Sequence, residues 1–202
     1  LSEADRPAFL SWWDYGFEAI QAGGHPTVAD NFQNGYEYAA SFLMSENESD
    51  AVSLLIIRLL EKTGFTDSIN SALSDNGANA AALKDIMQNP SSYVQTVLDN
   101  PDVYGKFTSD ISVANAKYAA ARMELQKVDL ESLVDMYHDV REVSGYDIGY
   151  VAVDSRLFPF SATGSNIFYA PAKLNDRTID SYTGSPTDYY TIKAILSDYS
   201  AV

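Results

Sequence analysis

An α+β fold, predominantly α-helical with a small β-sheet, is what the 202-residue sequence predicts. Between residues 49 and 143 apolar residues recur with helical spacing, and glycines and two Asn-Pro pairs separate the helical stretches. At residues 148–153 the sequence Ile-Gly-Tyr-Val-Ala-Val changes to the pattern of a buried strand. We therefore expect helical hairpins followed by a short sheet, in one domain that spans residues 1–202.

Each expected helix has its own start and stop signals. Ser49 is expected to cap a helix whose apolar residues run to position 60, which is buried in the core and ends at Gly64. A helix over residues 129–143 should end at Gly145. The apolar face of that helix is expected to consist of Leu130, Leu133, Val134 and Tyr137. Three further helices, at residues 78–88, 91–98 and 112–126, lie in the segment 66–126, a candidate for a helical insertion.

The remaining segments give weaker patterns. Residues 7–24 are interpreted as a short entry, an aromatic helix start and a Gly-Gly stop, and residues 26–38 as a loop. A second strand or extended piece is expected at residues 166–170, just before Pro171. Residues 189–196 fit a strand and a helix equally well.

Composition limits the classes of partner. The chain has 28 acidic and 13 basic residues and a net charge of −15, so it repels nucleic acid and anionic lipid. It contains no cysteine, which excludes disulfides, thiolate zinc sites and cysteine nucleophiles. No apolar run reaches the roughly 18 residues of a membrane span, and the chain does not begin with Met. We therefore expect a soluble domain that is a fragment of a longer protein.

The most unusual local sequence is Trp12-Trp13-Asp14-Tyr15-Gly16, which contains both tryptophans of the chain. One interpretation is structural: the indoles fill the core and Asp14 caps a helix. The other is functional, because two indole N–H donors and one carboxylate acceptor that converge on a point suit a hydroxyl group. In that interpretation Tyr15 orients Asp14, and Gly16 allows a tight backbone.

Residues 12–16 resemble, residue for residue, the signature of the oligosaccharyltransferase catalytic subunits, in the C-terminal soluble domain of the archaeal-type members. The flank Ser11-Trp12 and residues 29–33 and 150–158 also resemble archaeal members. The resemblance implies a pocket for the Ser or Thr two residues beyond the acceptor Asn of an Asn-X-Ser/Thr sequon. It implies that Trp12, Trp13 and Asp14 bond that hydroxyl, while Tyr15 and Gly16 shape the pocket.

The same resemblance implies the function of the whole enzyme, which transfers a glycan from a dolichyl-phosphate-type lipid carrier to Asn in protein N-glycosylation. Its partners are the acceptor protein and the lipid-linked oligosaccharide, and it is placed at the extracytoplasmic face of the cell membrane. Its catalytic carboxylates and its Mn²⁺ or Mg²⁺ belong to a multi-span membrane domain that these residues do not include. We therefore expect no catalytic residue, metal or cofactor in this fragment, and no activity from it alone.

The family also carries a second motif, of the form Asp-x-x-Lys-x-x-x-Met/Ile or Met-x-x-Ile, and its position here is open. Two segments have the first spacing with Ser in place of Lys, one starting at Asp50 and one at Asp129. A third candidate is the region from Asp154 to Lys173, which follows the expected strand. Of the three, the Asp154 region is favoured by position.

Other constellations are weaker. Glu131, Asp135 and His138 have near-helical spacing that could hold a divalent ion, although solvated helix faces often carry such charges. His25 is interpreted as a plain loop residue, and Asn47 begins an Asn-X-Ser triplet that could carry a glycan. Two alternatives to the glycosyltransferase stay open: a stand-alone acidic extracellular module that binds peptide or carbohydrate, and an interaction domain with both tryptophans in its core.

Overall fold

The computed structural model describes residues 5–100, 107–153 and 169–178. Within these ranges the chain forms nine α-helices and a two-stranded parallel sheet, which confirms the predicted α+β class. The elements in chain order are β1 (Ala8–Ser11), α1 (Gly16–Gln21), α2 (Tyr36–Leu43), α3 (Glu48–Thr63), α4 (Asp67–Asp75), α5 (Ala80–Gln88), α6 (Val94–Leu98), α7 (Val113–Leu125), α8 (Leu130–Ser144), β2 (Ile148–Ala152) and α9 (Tyr169–Leu174). Short 3-10 turns occupy Trp13–Tyr15 and Pro90–Tyr93.

Helix α3 is the centre of the core, as its wide apolar surface predicts. Its five core residues, Leu54, Ile56, Ile57, Leu59 and Leu60, are each at most 2% exposed. The N-cap is Asn47 and not the expected Ser49, because the Asn47 Oδ1 accepts a hydrogen bond from the Asp50 backbone N–H at 2.9 Å. The helix ends at Gly64 as predicted.

The other long helices pack around α3, with α7 and α8 against it directly. Ser112 caps α7 and Asp129 caps α8, and Gly145 ends α8 as predicted, in the left-handed conformation at φ 69°. One detail of α8 differs from the prediction. Its buried face consists of Leu133, Met136 and Val140, whereas the expected face residue Val134 is exposed and Leu130 and Tyr137 are half-buried.

The sheet joins residues 8–11, near the start of the described chain, to residues 148–152, which follow α8. Ala8 lies opposite Ile148 and Ser11 opposite Ala152, in parallel register. Strand β1 falls where only a short entry was expected. Strand β2 was predicted as buried, and this is wrong: only Ile148 is buried, because within the described residues β2 has β1 as its single neighbour.

Three further expectations are tested by the described residues. Helix α2 begins at Tyr36, inside the segment expected to be a loop. Residues 169 and 170 begin α9 and are therefore not the expected strand, while residues 166–168 and 189–196 lie outside the described residues. Pro171 is tolerated in α9 because it lies in the first turn, where a backbone N–H has no partner within the helix.

A buried polar network fastens the end of α9 to the helical core. The Asn175 side-chain amide donates to the Ser41 Oγ at 2.8 Å and to the Asn115 Oδ1 at 3.0 Å. The Asn115 amide in turn donates to the Asp176 carboxylate at 2.8 Å.

Among the residues that the structure describes, no helix combines the length and apolarity needed to cross a membrane.

An ion pair is buried between α3 and α7. Asp50 and Arg122 are 2% and 1% exposed, and an Arg122 guanidinium nitrogen lies 3.9 Å from an Asp50 carboxylate oxygen. The same carboxylate accepts hydrogen bonds from the Gln126 amide at 2.5 Å and from the Glu46 backbone N–H at 3.0 Å. Removal of the cation would leave a buried carboxylate without charge compensation.

We predict that Arg122→Met lowers the free energy of unfolding by about 3 kcal/mol, the cost of breaking a buried pair. Urea unfolding followed by circular dichroism measures it. The control is Arg141→Met, which removes the exposed pair of Arg141 with Asp147, 3.6 Å apart. That change should cost less than about 1 kcal/mol, and equal losses in the two variants would contradict the prediction.

Candidate functional site

Residues 12–16 lie directly after β1, at the carboxyl edge of the sheet. Trp13–Tyr15 form a 3-10 turn that continues into α1 at Gly16. The Tyr15 backbone N–H donates to the Trp12 carbonyl at 3.0 Å, which closes the turn. The strand therefore delivers these side chains to one edge of the fold within a single turn of backbone.

The two indoles have different environments. Trp12 is 3% exposed but lies outside the continuous helical core, whereas Trp13 is half-buried and packs against that core. Their ring centroids are 6.3 Å apart at an angle of 50°. The structural interpretation is thus correct in that Trp12 is buried. It is wrong for Asp14, because neither the 3-10 turn nor α1 receives a side-chain cap.

The side-chain polar groups of Trp12, Trp13 and Asp14 are not used within the described part of the chain. Neither indole N–H and neither carboxylate oxygen of Asp14 takes part in a hydrogen bond or ion pair with a described residue. The carboxylate of Asp14 is only partly buried, and its backbone carbonyl, by contrast, is bonded to Asn31. Two donors and one charged acceptor therefore remain for a ligand.

Gly16 is required by a close approach of two backbones. A Cβ at this position would lie 2.3 Å from the Ala29 carbonyl oxygen and 2.5 Å from the Asp30 Cα. The φ angle of −57° is ordinary helical backbone, so space and not conformation selects glycine. The turn is thereby pressed against the loop of residues 27–34, which is the tight backbone expected of Gly16.

Asn31 links that loop to both sides of the turn. Its side-chain amide donates to the Asp14 carbonyl at 2.7 Å, and its Oδ1 accepts from the Phe17 backbone N–H at 3.1 Å. Asp30 organises the loop, because its carboxylate accepts from the Asn34 side chain and from the backbone N–H groups of Phe32 and Asn34. These bonds, led by that of the Asn34 side chain, lower the pKa of Asp30.

The loop is tied to the core through Arg58 of helix α3. The Arg58 guanidinium donates to the Val28 carbonyl at 2.9 Å and to the Glu61 carboxylate at 2.9 Å. Burial raises the pKa of Glu61, but hydrogen bonds from Lys117 and Arg58 outweigh it, and the pKa is lowered overall. Glu61 is therefore ionised at neutral pH and holds the guanidinium that supports the loop.

A groove of about 340 Å³ opens beside the turn. Its lining consists of Phe9, Ser11, Tyr15, Glu18, Ala19, Gly23, Ala152 and Val153. Of residues 12–16, only Tyr15 contributes to it. The Ser11 hydroxyl is buried and has no hydrogen-bond partner.

The candidates for the second motif are placed as follows. In the first, Asp50, Ser53 and Ile57 are all buried in α3, with Asp50 in the ion pair to Arg122. In the second, Asp129 is the cap of α8, Ser132 donates to it, and Met136 belongs to the core. Capping and packing account for both spacings. The favoured candidate, Asp154, lies outside the described residues.

The remaining candidates are also placed by the structure. Glu131, Asp135 and His138 are exposed on α8, and the described residues hold no group of three or more His, Asp or Glu side chains that could bind a metal. Asn47 is exposed and uses its side-chain oxygen as the α3 cap. His25 is more than a plain loop residue. Its Nδ1 lies 2.9 Å from the Pro7 carbonyl oxygen, and its ring meets Phe9 and Tyr150 edge-on.

Two residues that build this site carried no signal of their own in the sequence. Ser11 and Asn31 are residue types found in any loop or strand, and the flank Ser11-Trp12 and residues 29–33 stand out only for their resemblance to archaeal sequences. The role of Asn31 depends on a contact with Asp14, 17 positions away in the chain. The role of Ser11 depends on a groove that is lined in part by β2.

Similarity to a known protein links the chain to glycosyltransferases of the oligosaccharyltransferase type. Over 57 residues it is 35% identical to Dolichyl-phosphooligosaccharide-protein glycotransferase 2 of Archaeoglobus fulgidus. The aligned segment covers 27% of this chain and only 10% of the relative. No family model matches the chain, and no solved structure matches it.

We predict that Gly16→Ala costs about 2–3 kcal/mol of stability, because the added methyl group forces two backbone segments apart. Intrinsic fluorescence reports the change locally, since both tryptophans of the chain adjoin this position. The comparator is Gly145→Ala, at φ 69° with no atom within 4 Å of the new Cβ. It should cost about 1 kcal/mol and leave the native emission spectrum unchanged. An unshifted Gly16→Ala spectrum at wild-type stability would contradict the packing argument.

Proposed function

We propose that this chain is the acceptor-recognition domain of a membrane oligosaccharyltransferase, and that residues 12–16 bind the hydroxyl of an Asn-X-Ser/Thr sequon. The observation that carries the proposal is the set of polar groups on the turn. The indole N–H groups of Trp12 and Trp13 and the Asp14 carboxylate have no partner among the described residues, in a chain similar to an archaeal glycotransferase.

The chemistry of these groups fits a hydroxyl. An ionised carboxylate can only accept a hydrogen bond and an indole N–H can only donate one, whereas a hydroxyl does both. The Asp14 carboxylate would accept a hydrogen bond from the Ser or Thr hydroxyl, and an indole N–H would donate one to the hydroxyl oxygen. A peptide without the hydroxyl would leave these groups unpaired next to buried aromatic surface, which rejects it strongly.

The support of the turn favours recognition of a small group. Gly16 lies against the Ala29 and Asp30 backbone, and Asn31 bonds the turn on both sides. A turn held at several points does not have to be ordered when the peptide binds, so more of the interaction energy goes into affinity. Tyr15 and Gly16 thus have positioning roles in this proposal.

Transfer itself would require parts outside this chain. In the proposal, carboxylates and a Mn²⁺ or Mg²⁺ ion in a multi-span membrane domain act on the acceptor amide and the lipid-linked oligosaccharide. The domain would stand at the extracytoplasmic face and supply peptide binding alone. Asp154, two positions beyond the end of β2, is the proposed start of the second motif, with contact to the acceptor residue as its role.

The test compares the full-length protein in membranes with its Asp14→Ala variant, with a fluorescent Asn-X-Thr peptide as acceptor. We predict a loss of about 100-fold in kcat/KM, which corresponds to a hydrogen bond to a charged group of about 3 kcal/mol. The control is Asp135→Ala, an exposed carboxylate on α8, which should retain wild-type transfer.

Circular dichroism of both variants separates binding from folding. Normal expression and an unchanged spectrum for Asp14→Ala with loss of transfer would support a binding role. Unchanged transfer would mean that residues 12–16 serve packing. Peptide binding without any transfer by the full-length protein would favour the alternative, an acidic extracellular binding module.

A further inference from the structure

The groove beside the turn has apolar walls and an unused polar group. Its lining includes the apolar side chains of Phe9, Tyr15, Ala19 and Val153. Ser11 lines it with 4% of its surface exposed, and the Ser11 hydroxyl has no hydrogen-bond partner. Buried hydroxyls are almost always bonded, so an unpaired one in the lining of an open groove points to a ligand that supplies the partner.

One charged side chain adjoins this apolar surface. Among the lining residues Glu18 is the one acidic or basic side chain, and it is exposed on α1. No cation among the described residues lies within ion-pair distance of it. A net charge of −15 adds a long-range attraction for cationic peptides. The groove therefore combines an apolar interior with an acidic rim.

A lysine or arginine side chain complements this combination. Its methylene stem covers apolar surface while its charged end remains near water, where a carboxylate can pair with it. Tyr15 belongs both to the turn of residues 12–16 and to the groove lining, so one extended peptide could contact both places. A peptide seated there can also present a backbone amide or carbonyl group to the Ser11 hydroxyl.

We propose that this groove is a subsite of the acceptor peptide that binds a Lys or Arg residue flanking the sequon. The stem lies against Phe9, Tyr15 and Ala19, and the cationic end pairs with Glu18. The inference rests on the proposed function and extends it from the sequon hydroxyl to the residue beside the sequon.

The experiment measures transfer by the full-length protein to Asn-X-Thr peptides that carry Lys, norleucine or Glu directly before or directly after the sequon. Norleucine keeps an apolar stem and lacks the charge. With wild-type protein we expect kcat/KM for the Lys peptide to exceed that for the norleucine peptide about threefold at one of the two positions. That ratio is typical of a partly exposed ion pair. The Glu peptide should be the poorest.

In Glu18→Gln the ratio of Lys to norleucine should fall to about one, and raised salt should lower it in the wild-type protein. The matched control is Glu142→Gln, an exposed carboxylate outside the groove lining, which should keep the wild-type ratio. Ser11→Ala should lower kcat/KM for Lys and norleucine peptides alike without a loss of stability, since the hydroxyl makes no bond within the described structure.

The outcomes separate the two proposals, because an Asn-X-Ala peptide in the same assay tests the hydroxyl requirement alone. Suppose that transfer requires the hydroxyl, but that the Lys and norleucine peptides are used equally well, or that Glu18→Gln leaves the ratio of Lys to norleucine transfer unchanged. Either result would overturn the subsite and leave the proposed function standing. If Glu142→Gln lowered the ratio of Lys to norleucine transfer as much as Glu18→Gln does, the preference for Lys would come from the net charge of the protein. That result would also overturn the subsite. Failure to glycosylate any of the peptides would remove both.

Discussion

The burial of helix α3 around nearly its whole circumference is the constraint on which the rest of this fold depends. A helix with Leu54, Ile56, Ile57, Leu59 and Leu60 at most 2% exposed has to be covered on several sides, and α7 and α8 supply most of that cover. The burial extends to Asp50, whose charge is tolerated only because Arg122, Gln126 and a backbone N–H surround it. The core thus combines close apolar packing with one specific polar arrangement that fixes how α3 and α7 meet.

From this core a short series of contacts leads to the candidate site. Arg58 of α3 holds the Val28 carbonyl, the loop of residues 27–34 presses on Gly16, and Asn31 bonds the turn at Asp14 and Phe17. Each link is a contact of backbone with side chain or of backbone with backbone. It therefore constrains the position of the turn without using the side-chain polar atoms of Trp12, Trp13 and Asp14. The contacts that hold the turn in place are therefore separate from the side-chain groups that are available to a ligand. Substitution of those side chains can change specificity while the supporting contacts remain.

Much of the helical part of this fold could be predicted from the sequence, because its signals are local. Ser112, Asp129, Gly64 and Gly145 are caps whose partners lie within four residues. The misplaced cap at Ser49 shows the limit, since Asn47 competes for the same helix start and local patterns rank the two equally. The exposure of β2 and the strand at residues 8–11 depend on a partner some 140 positions away, which no local pattern contains. The site divides similarly: the unusual residues 12–16 stand out, whereas Ser11 and Asn31 become recognisable only once distant segments are in place.

The parallel pairing of Ala8 with Ile148 has a consequence for the order of events on the ribosome. The strand that leads into the Trp-Trp turn is synthesised before helices α1 to α8, yet its neighbour emerges only after all of these helices have been made. Pairing over so long a separation carries a large loop-closure cost until the helices have folded and brought the ends together. The turn of residues 12–16 would therefore acquire its final geometry only after α8 has been made, and a chain that stalls before residue 148 would contain the motif but lack the finished candidate site.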